Sequence, residues 1–304
     1  FRRVLFRSAT AIVSGTGIDS VLDSQFEITG TGVRITRVSR GTSGGNPAVS
    51  LLLSADLGTA PGLRSIILNG SSEVAFVPGS IKIRQPDVSY MPMLLTGLNA
   101  KLGELLRTGL AFITDTIRQS TLTYTAYSSN GNLVASTSTY PNPSTYLMNA
   151  SAQRAALDSE IFALNPSVSS EGWMQLRSTE PGAGLFLVFD SGFSRITDGT
   201  GLVRTPSQNF VLPFGSGAEK TLFSIANPGE VAATVSLQSV LDNGSVVATA
   251  PRTIPAHGNI TENWGVSGTG YLRVNSDVPL VATELFGTND LSALTGTQIG
   301  RAHV

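Results

Sequence analysis

The 304-residue chain carries 20 basic and 21 acidic residues, a formal net charge of −1. Its charged fraction of 13% is about half the usual share, so hydroxyls and glycine fill a surface with no basic field for nucleic acid. No run of about 18 apolar residues is present to span a membrane, and the absence of cysteine excludes disulfides and thiolate metal sites. The absence of cysteine, combined with low charge and many short β-like segments, favours a bacterial extracellular or surface protein.

Both ends look foreign to the rest. Arg2-Arg3-Val4-Leu5-Phe6-Arg7-Ser8 resembles the translation of a widely used DNA-sequencing adapter. Ile299-Gly300-Arg301-Ala302-His303-Val304 resembles that adapter read in the opposite orientation. Residues 1–8 and 299–304 are therefore set aside from fold reasoning. Without their four arginines, 16 basic residues (20 minus 4) face 21 acidic ones, a net charge of about −5. The expectation is a fragment of a longer reading frame, with a signal peptide, anchor or catalytic domain able to lie outside it.

Residues 9–84 alternate apolar and polar positions between Gly-rich turns. Ile28 precedes T-G-T-G-V (29–33), and Ile35 and Val38 follow. Ala48 to Leu53 is an apolar run. A-P-G-L-R-S-I-I-L-N-G (60–70) reads as a turn, a strand and an Asn-Gly hairpin signal. Val74 to Val77, Ile81 and Ile83 close the segment. Short strands at this spacing predict a β-sandwich. The turn motifs resemble immunoglobulin-like domains of the plexin/transcription-factor (IPT/TIG) type, and F-V-P-G-S-I-K-I (76–83) resembles the closing strand of similar segments in bacterial surface proteins.

Residues 85–107 read as a linker ending in a short helix. Pro86 and Pro92 stiffen an extended path. Leu95, Leu98, Leu102, Leu105 and Leu106 then fit a helical stripe, which Gly97 and Gly103 weaken. The expected role of that helix is to cover one end of the next sandwich.

Two copies of one folding unit follow, at 108–190 and 207–295, joined by a linker at 191–206. G-W-M-Q-L-R-S-T-E-P (172–181) matches G-Y-L-R-V-N-S-D-V-P (270–279), and T-L-T-Y-T-A-Y-S-S-N-G-N-L-V-A (121–135) matches T-V-S-L-Q-S-V-L-D-N-G-S-V-V-A (234–248). Self-similarity at domain spacing means repeated supersecondary units. Period-two apolar positions at Leu122, Tyr124 and Ala126 mark a half-buried strand, and Asn130-Gly131 and Asn243-Gly244 mark hairpins. S-A-Q-R-A-A-L-D-S-E-I-F (151–162) predicts a helix capped by Ser151. Matched segments lie 113 residues apart at the hairpin (234 minus 121) and 98 at the Gly-aromatic strand (270 minus 172). The difference is expected where the first copy has its helix. Trp173 and its counterpart Tyr271 are expected to anchor each sandwich.

These copies resemble a β-sandwich module of secreted bacterial proteins. The second carries N-P-G-E-V-A-A-T-V-S-L (227–237), P-A-H-G (255–258), where the module has a P-A-G-G-like turn, and the strand 270–279. The first departs at its opening, with I-T-D-T-I-R-Q-S-T-L-T instead. The resemblance implies a fold and an extracellular location; no single activity belongs to the module.

Residues that could carry chemistry are sparse. G-T-S-G-G (41–45) matches the nucleophile-elbow pattern formally, but no helix follows and the one histidine outside the adapter-like ends is His257. A zinc, iron or copper site lacks ligands. Asp19, Asp23 and Glu27, Asp158 and Glu160, and Asp277 and Glu284 are scattered without calcium-loop spacing. Calcium at a domain junction would fall near Asp190 or Asp198. Trp264, in a loop, is the candidate for stacking on a sugar; its bland reading is a ring packed on the sandwich edge with its indole N–H bonded.

The fold expected is all-β, three tandem β-sandwiches with one or two short helices. The function expected is non-enzymatic, without catalytic residues, cofactor or metal: a spacer or interaction region of a secreted or cell-surface bacterial protein, meeting an unidentified protein or glycan and no nucleic acid. The alternative is a set of carbohydrate-binding modules, acting through Trp264, that serve an enzyme outside the fragment.

Overall fold

The structure, a computed structural model, describes residues 7–56, 59–70, 73–83, 87–99, 103–114, 116–134, 137–190, 192, 196–215, 219–264, 268–288 and 294–298. The adapter-like residues 1–6 and 299–304 lie outside the described residues. The chain is all-β with antiparallel pairing among the described residues, and it divides into two compact units, 1–85 and 86–304.

The first unit contains β1 (Arg7–Ser14), β2 (Phe26–Ile28), β3 (Val33–Ser43), β4 (Asn46–Ala55), β5 (Gly62–Asn69) and β6 (Val74–Ile83). Two three-stranded sheets, β1-β4-β3 and β2-β5-β6, enclose a core of Phe26, Val49, Leu51, Leu53 and Ile66. Alternation along β4 puts Val49, Leu51 and Leu53 inward, as period two requires. Ser43 is the last residue of β3, opposite Asn46 across a Gly44-Gly45 turn, so G-T-S-G-G is a hairpin.

The second unit begins with β7 (Asp87–Asn99), β8 (Glu104–Ile113), β9 (Ser120–Ser128), β10 (Ser144–Met148), β11 (Gln153–Leu157), helix α1 (Asp158–Phe162), β12 (Ser170–Ser178), β13 (Ala183–Asp190) and β14 (Ile196–Gly201). It continues with β15 (Ser207–Phe214), β16 (Glu219–Ala226), β17 (Ala233–Leu241), β18 (Val246–Ile254), β19 (Asn259–Asn263), β20 (Gly270–Thr288) and β21 (Leu294–Gln298). In the first repeat, layer β10-β9-β12-β7 faces layer β11-β8-β13-β14, with the end of β7 pairing β8. In the second, β18-β17-β20-β15 faces β19-β16-β20-β21, because β20 is long enough to serve both layers.

The register of the two repeats is the same. Gly172 faces Ser128 of β9 and Leu94 of β7; Gly270 faces Leu241 of β17 and Phe214 of β15. In the other layer Ile113 pairs Ala183 and Gln153, and Ala226 pairs Val281 and Asn259. The recurring glycine has a steric cause. A Cβ on Gly172 would stand 2.0 Å from the Tyr127 carbonyl oxygen, and one on Gly270 2.1 Å from that of Val240. Any side chain there would push neighbouring strands apart.

Four expectations need correction. The leucine stripe at 93–107 is no helix: β7 and β8 run through it, with Gly97 in the left-handed region at φ +78°. Its leucines divide between faces, Leu95 and Leu106 buried, Leu98 and Leu105 exposed. The first repeat therefore opens at Asp87, matching β15, and 191–206 contains β14. Residues 153–157 of the expected longer helix form strand β11, drawn into the sheet by pairing with β8; only Asp158–Phe162 is helical. Ser151 does not cap it; Glu160 accepts the Leu157 N–H instead, at 2.8 Å. Finally, the inserted residues occupy two places, not one. β10 and β18 are 106 apart (250 minus 144), so the excess splits between the β9–β10 connection and the segment holding α1.

A buried polar network ties α1 to the β7–β8 hairpin. Asp158 accepts from Ser159 N–H at 2.7 Å, Thr108 N–H at 3.2 Å and Arg107 Nε at 3.3 Å, and also from Thr96 Oγ1. Its carboxylate is fully buried beside a guanidinium that is 12% exposed. Removing one partner of such a pair leaves a charge stranded. Asp158→Ala is expected to lose about 3–5 kcal/mol in urea unfolding; a loss below about 1 kcal/mol, the worth of an exposed pair, would contradict this assignment.

Candidate functional site

A cluster of aromatic side chains lies where the two repeats of the second unit meet. Along β12, Met174 and Leu176 face the core of the first repeat, so Trp173 faces outward by alternation. It is nonetheless fully buried, because the second repeat covers it. Trp173 packs with Val203, Ala226 and Val281, its ring stacked on Tyr127 at 4.9 Å and tilted against Tyr90 at 6.3 Å. Its indole N–H donates to the carbonyl oxygen of His257 at 2.6 Å. The expected role of Trp173, an anchor within its own sandwich, is thus corrected: it joins two sandwiches. Its counterpart Tyr271 remains on the outer surface, with Arg273 Nη2 donating to its hydroxyl at 3.2 Å.

Backbone groups complete the joint. Asn259 donates from its backbone N–H to the Ser129 carbonyl at 3.1 Å and from Nδ2 to the Gly172 carbonyl at 3.2 Å. Ser224 Oγ donates to the Pro92 carbonyl at 2.7 Å. Gly131, at φ +87°, approaches the second repeat so closely that a Cβ would lie 2.1 Å from the Ala256 oxygen. The Asn-Gly hairpin is therefore shaped by the neighbouring repeat as well as by its own turn. Burial pushes the Tyr90 and Tyr127 phenols up from their ordinary value, Arg177 opposing.

His257 sits in the P-A-H-G turn with its imidazole largely covered. Its backbone is left-handed at φ +56°, the conformation that favours glycine in this kind of turn. Its ring stacks on the free face of Tyr127 at 4.9 Å, and Nε2 lies 3.0 Å from Glu230 Oε2. The contact to Trp173 uses the backbone carbonyl, so the imidazole is incidental to that bond.

Trp264, the sequence candidate for sugar stacking, follows β19 on the edge of the second sandwich. It is half-buried, edge-on to Phe223 at 5.4 Å, with its indole N–H donating to Ser239 Oγ at 2.9 Å. The structure does not bring it near Trp173's cluster. Asp19, Asp23 and Glu27 lie in the first unit, where an open cleft of about 600 Å³ is lined by Asp23, Phe26, Glu27, Arg34 and Arg37. Among the described residues no three His, Asp or Glu gather as a metal site, and the side chain of Asp198 lies outside them.

Glu284, which the sequence shows only as one of several scattered carboxylates, is fully buried, and neither carboxyl oxygen has a hydrogen-bond partner among the described residues. It lies two residues beyond Ala282 of the core, on the same inward face, at the position where the first repeat has Phe186. Burial alone pushes its pKa up to about 9. Comparing repeats is the signal that could have found it: a carboxylate stands where the copy has a core aromatic.

No family model matches the chain, and no curated protein does. Among solved structures it is similar to a beta-glucuronidase 2 of Bacteroides uniformis, covalently bound to a cyclophellitol-6-carboxylate aziridine, at a TM-score of 0.14 and 9% identity. The match covers 96% of this chain and 32% of that enzyme, so the chain spans about a third of its length. A likeness of that size carries no argument about fold or activity.

Trp173→Ala is expected to cost about 3–5 kcal/mol and to split the thermal unfolding of the second unit into two transitions, read by calorimetry. A single transition at unchanged temperature would remove Trp173 as the joint. Glu284 predicts a pH dependence of definite sign. Its folded pKa exceeds the ordinary carboxyl value, so its contribution to stability is whole below about pH 4.5 and is lost as pH rises towards about 9. Glu284→Leu should stabilise the fold at neutral pH by on the order of 3 kcal/mol and flatten that slope in urea titrations. An unchanged slope would count against it.

Proposed function

We propose that the chain is a non-enzymatic structural and interaction region of a secreted or cell-surface bacterial protein, acting as a spacer that presents loops or a neighbouring domain. One observation carries this reading. The two repeats are fixed to each other through a fully buried Trp173, hydrogen-bonded by its N–H to the carbonyl of the opposing turn. A hinge between catalytic halves needs an interface that opens; a spacer needs one that resists bending. A dry aromatic contact reinforced by four cross-repeat hydrogen bonds serves the second purpose. The turn chemistry of residues 28–83 supports assigning the first unit to the IPT/TIG type of immunoglobulin-like domain.

Carbohydrate binding through Trp264 is the second reading, favoured by the part of its ring left exposed. It ranks lower because the indole N–H, the group that would orient a sugar, is engaged by Ser239. A single experiment separates the readings. The full chain is offered a panel of ester, glycoside and peptide substrates and a glycan array, with tryptophan fluorescence followed throughout. The spacer reading expects neither turnover nor saturable quenching. Quenching by a glycan that disappears in Trp264→Ala would replace it with the carbohydrate reading, and turnover would overturn both.

A further inference from the structure

The interface between the repeats has two different halves, and each repeat carries both. One half is the outward face of β7, β9 and β12: Tyr90, Tyr127 and Trp173. The other is the outward face of β16 and the second part of β20, where Leu222, Ser224 and Ala226 alternate with Val281, Thr283 and Leu285. Inside the chain, the first half of repeat 1 is covered by the second half of repeat 2. Among the described residues of the second unit, this leaves one of each without a repeat docked on it.

This undocked face of repeat 1 is chemically unusual. Register places Gly109, Ala111 and Ile113 of β8, with Ala183, Leu185 and Leu187 of β13, at the positions that dock repeat 2. A solvent-facing sheet surface ordinarily alternates to polar residues. These six are all apolar; Ile113 is 50% and Leu185 44% exposed, while Gly109 is buried close to Phe189 and Leu157. The undocked face of repeat 2 places Tyr271, Val211 and Val240 where repeat 1 has Trp173, Tyr90 and Tyr127; Tyr271 and Val211 are partly exposed there, and Val240 is buried. The sizes complement each other. In the existing joint a large Trp173 meets small Ala226; across the free faces the smaller Tyr271 would meet the larger Ile113.

We propose that the chain associates head to tail with a second copy of itself, the β8–β13 face of one copy receiving the Tyr271 face of the next. The contact repeats the geometry already built between the two repeats. Its two halves lie on different surfaces, so it is heterologous and does not close on a dimer; each added copy leaves the same two faces free. This goes beyond the spacer reading, since self-association would hold whether or not the chain has a ligand.

Sedimentation of the full chain at rising concentration, up to about 1 mM, tests it. The expected result is a mean mass that climbs without a plateau. Ile113→Asp or Leu185→Asp on one face, and Tyr271→Glu on the other, should each remain monomeric with an unchanged circular dichroism spectrum. An equimolar mixture of Leu185→Asp with Tyr271→Glu should stop at a dimer, because one intact face of each kind remains. A wild type that stays monomeric, a closed dimer, or association that survives all three substitutions would overturn the proposal. None of those outcomes bears on catalysis or sugar binding, so the spacer reading stands or falls separately.

Discussion

Burial of an outward-facing aromatic is the constraint on which the second unit depends. A tryptophan on the outer side of a sheet exposes an apolar surface too large to leave wet, while its indole N–H needs an acceptor. The second repeat supplies both: Ala226 and Val281 under the ring, and the His257 carbonyl at 2.6 Å. Other features of the joint serve that seat. Tyr127 lies between Trp173 and His257 as the middle of a three-ring stack, and Gly131 leaves room for the opposing turn. Even the left-handed backbone of His257 belongs here, since its turn aims the accepting carbonyl.

Duplication explains why the same strand positions recur, and divergence explains what they now do. Register is conserved because strand approach is unforgiving: Gly172 and Gly270 each sit against a carbonyl that tolerates no Cβ. Surface identity is freer. Trp173 forms a joint and Tyr271 lies on the outer face; Phe186 fills one core, while in the other Glu284 has no hydrogen-bond partner among the described residues. Insertions collected in connections, where extra chain costs little, and one folded into α1 under the Asp158 network.

Turn chemistry and register were the legible part of the sequence. Asn130-Gly131 and Asn243-Gly244 both turn strands, and the Gly-aromatic stretches occupy equivalent places. The misread segments share a physical cause. Leu94 to Leu106 and Gln153 to Leu157 hold residues whose helix and strand preferences differ by less than the free energy of joining a sheet, so pairing with β8 decided their form. The joint was illegible for another reason. Gly172 to Leu176 is buried on both faces, and an unbroken buried run does not say which residue faces its own core. Trp264 was legible as a ring on a sandwich edge, but its Ser239 partner, 25 residues away, was not.

A double-mutant cycle across the joint tests the central claim most directly. Trp173→Ala, Val281→Ala and the double variant are unfolded in urea, and the coupling energy between the two sites is extracted. Direct contact predicts that the two losses fail to add, with a coupling of about 0.5–3 kcal/mol. Strict additivity would mean that the two side chains do not meet, and that the repeats are merely strung together.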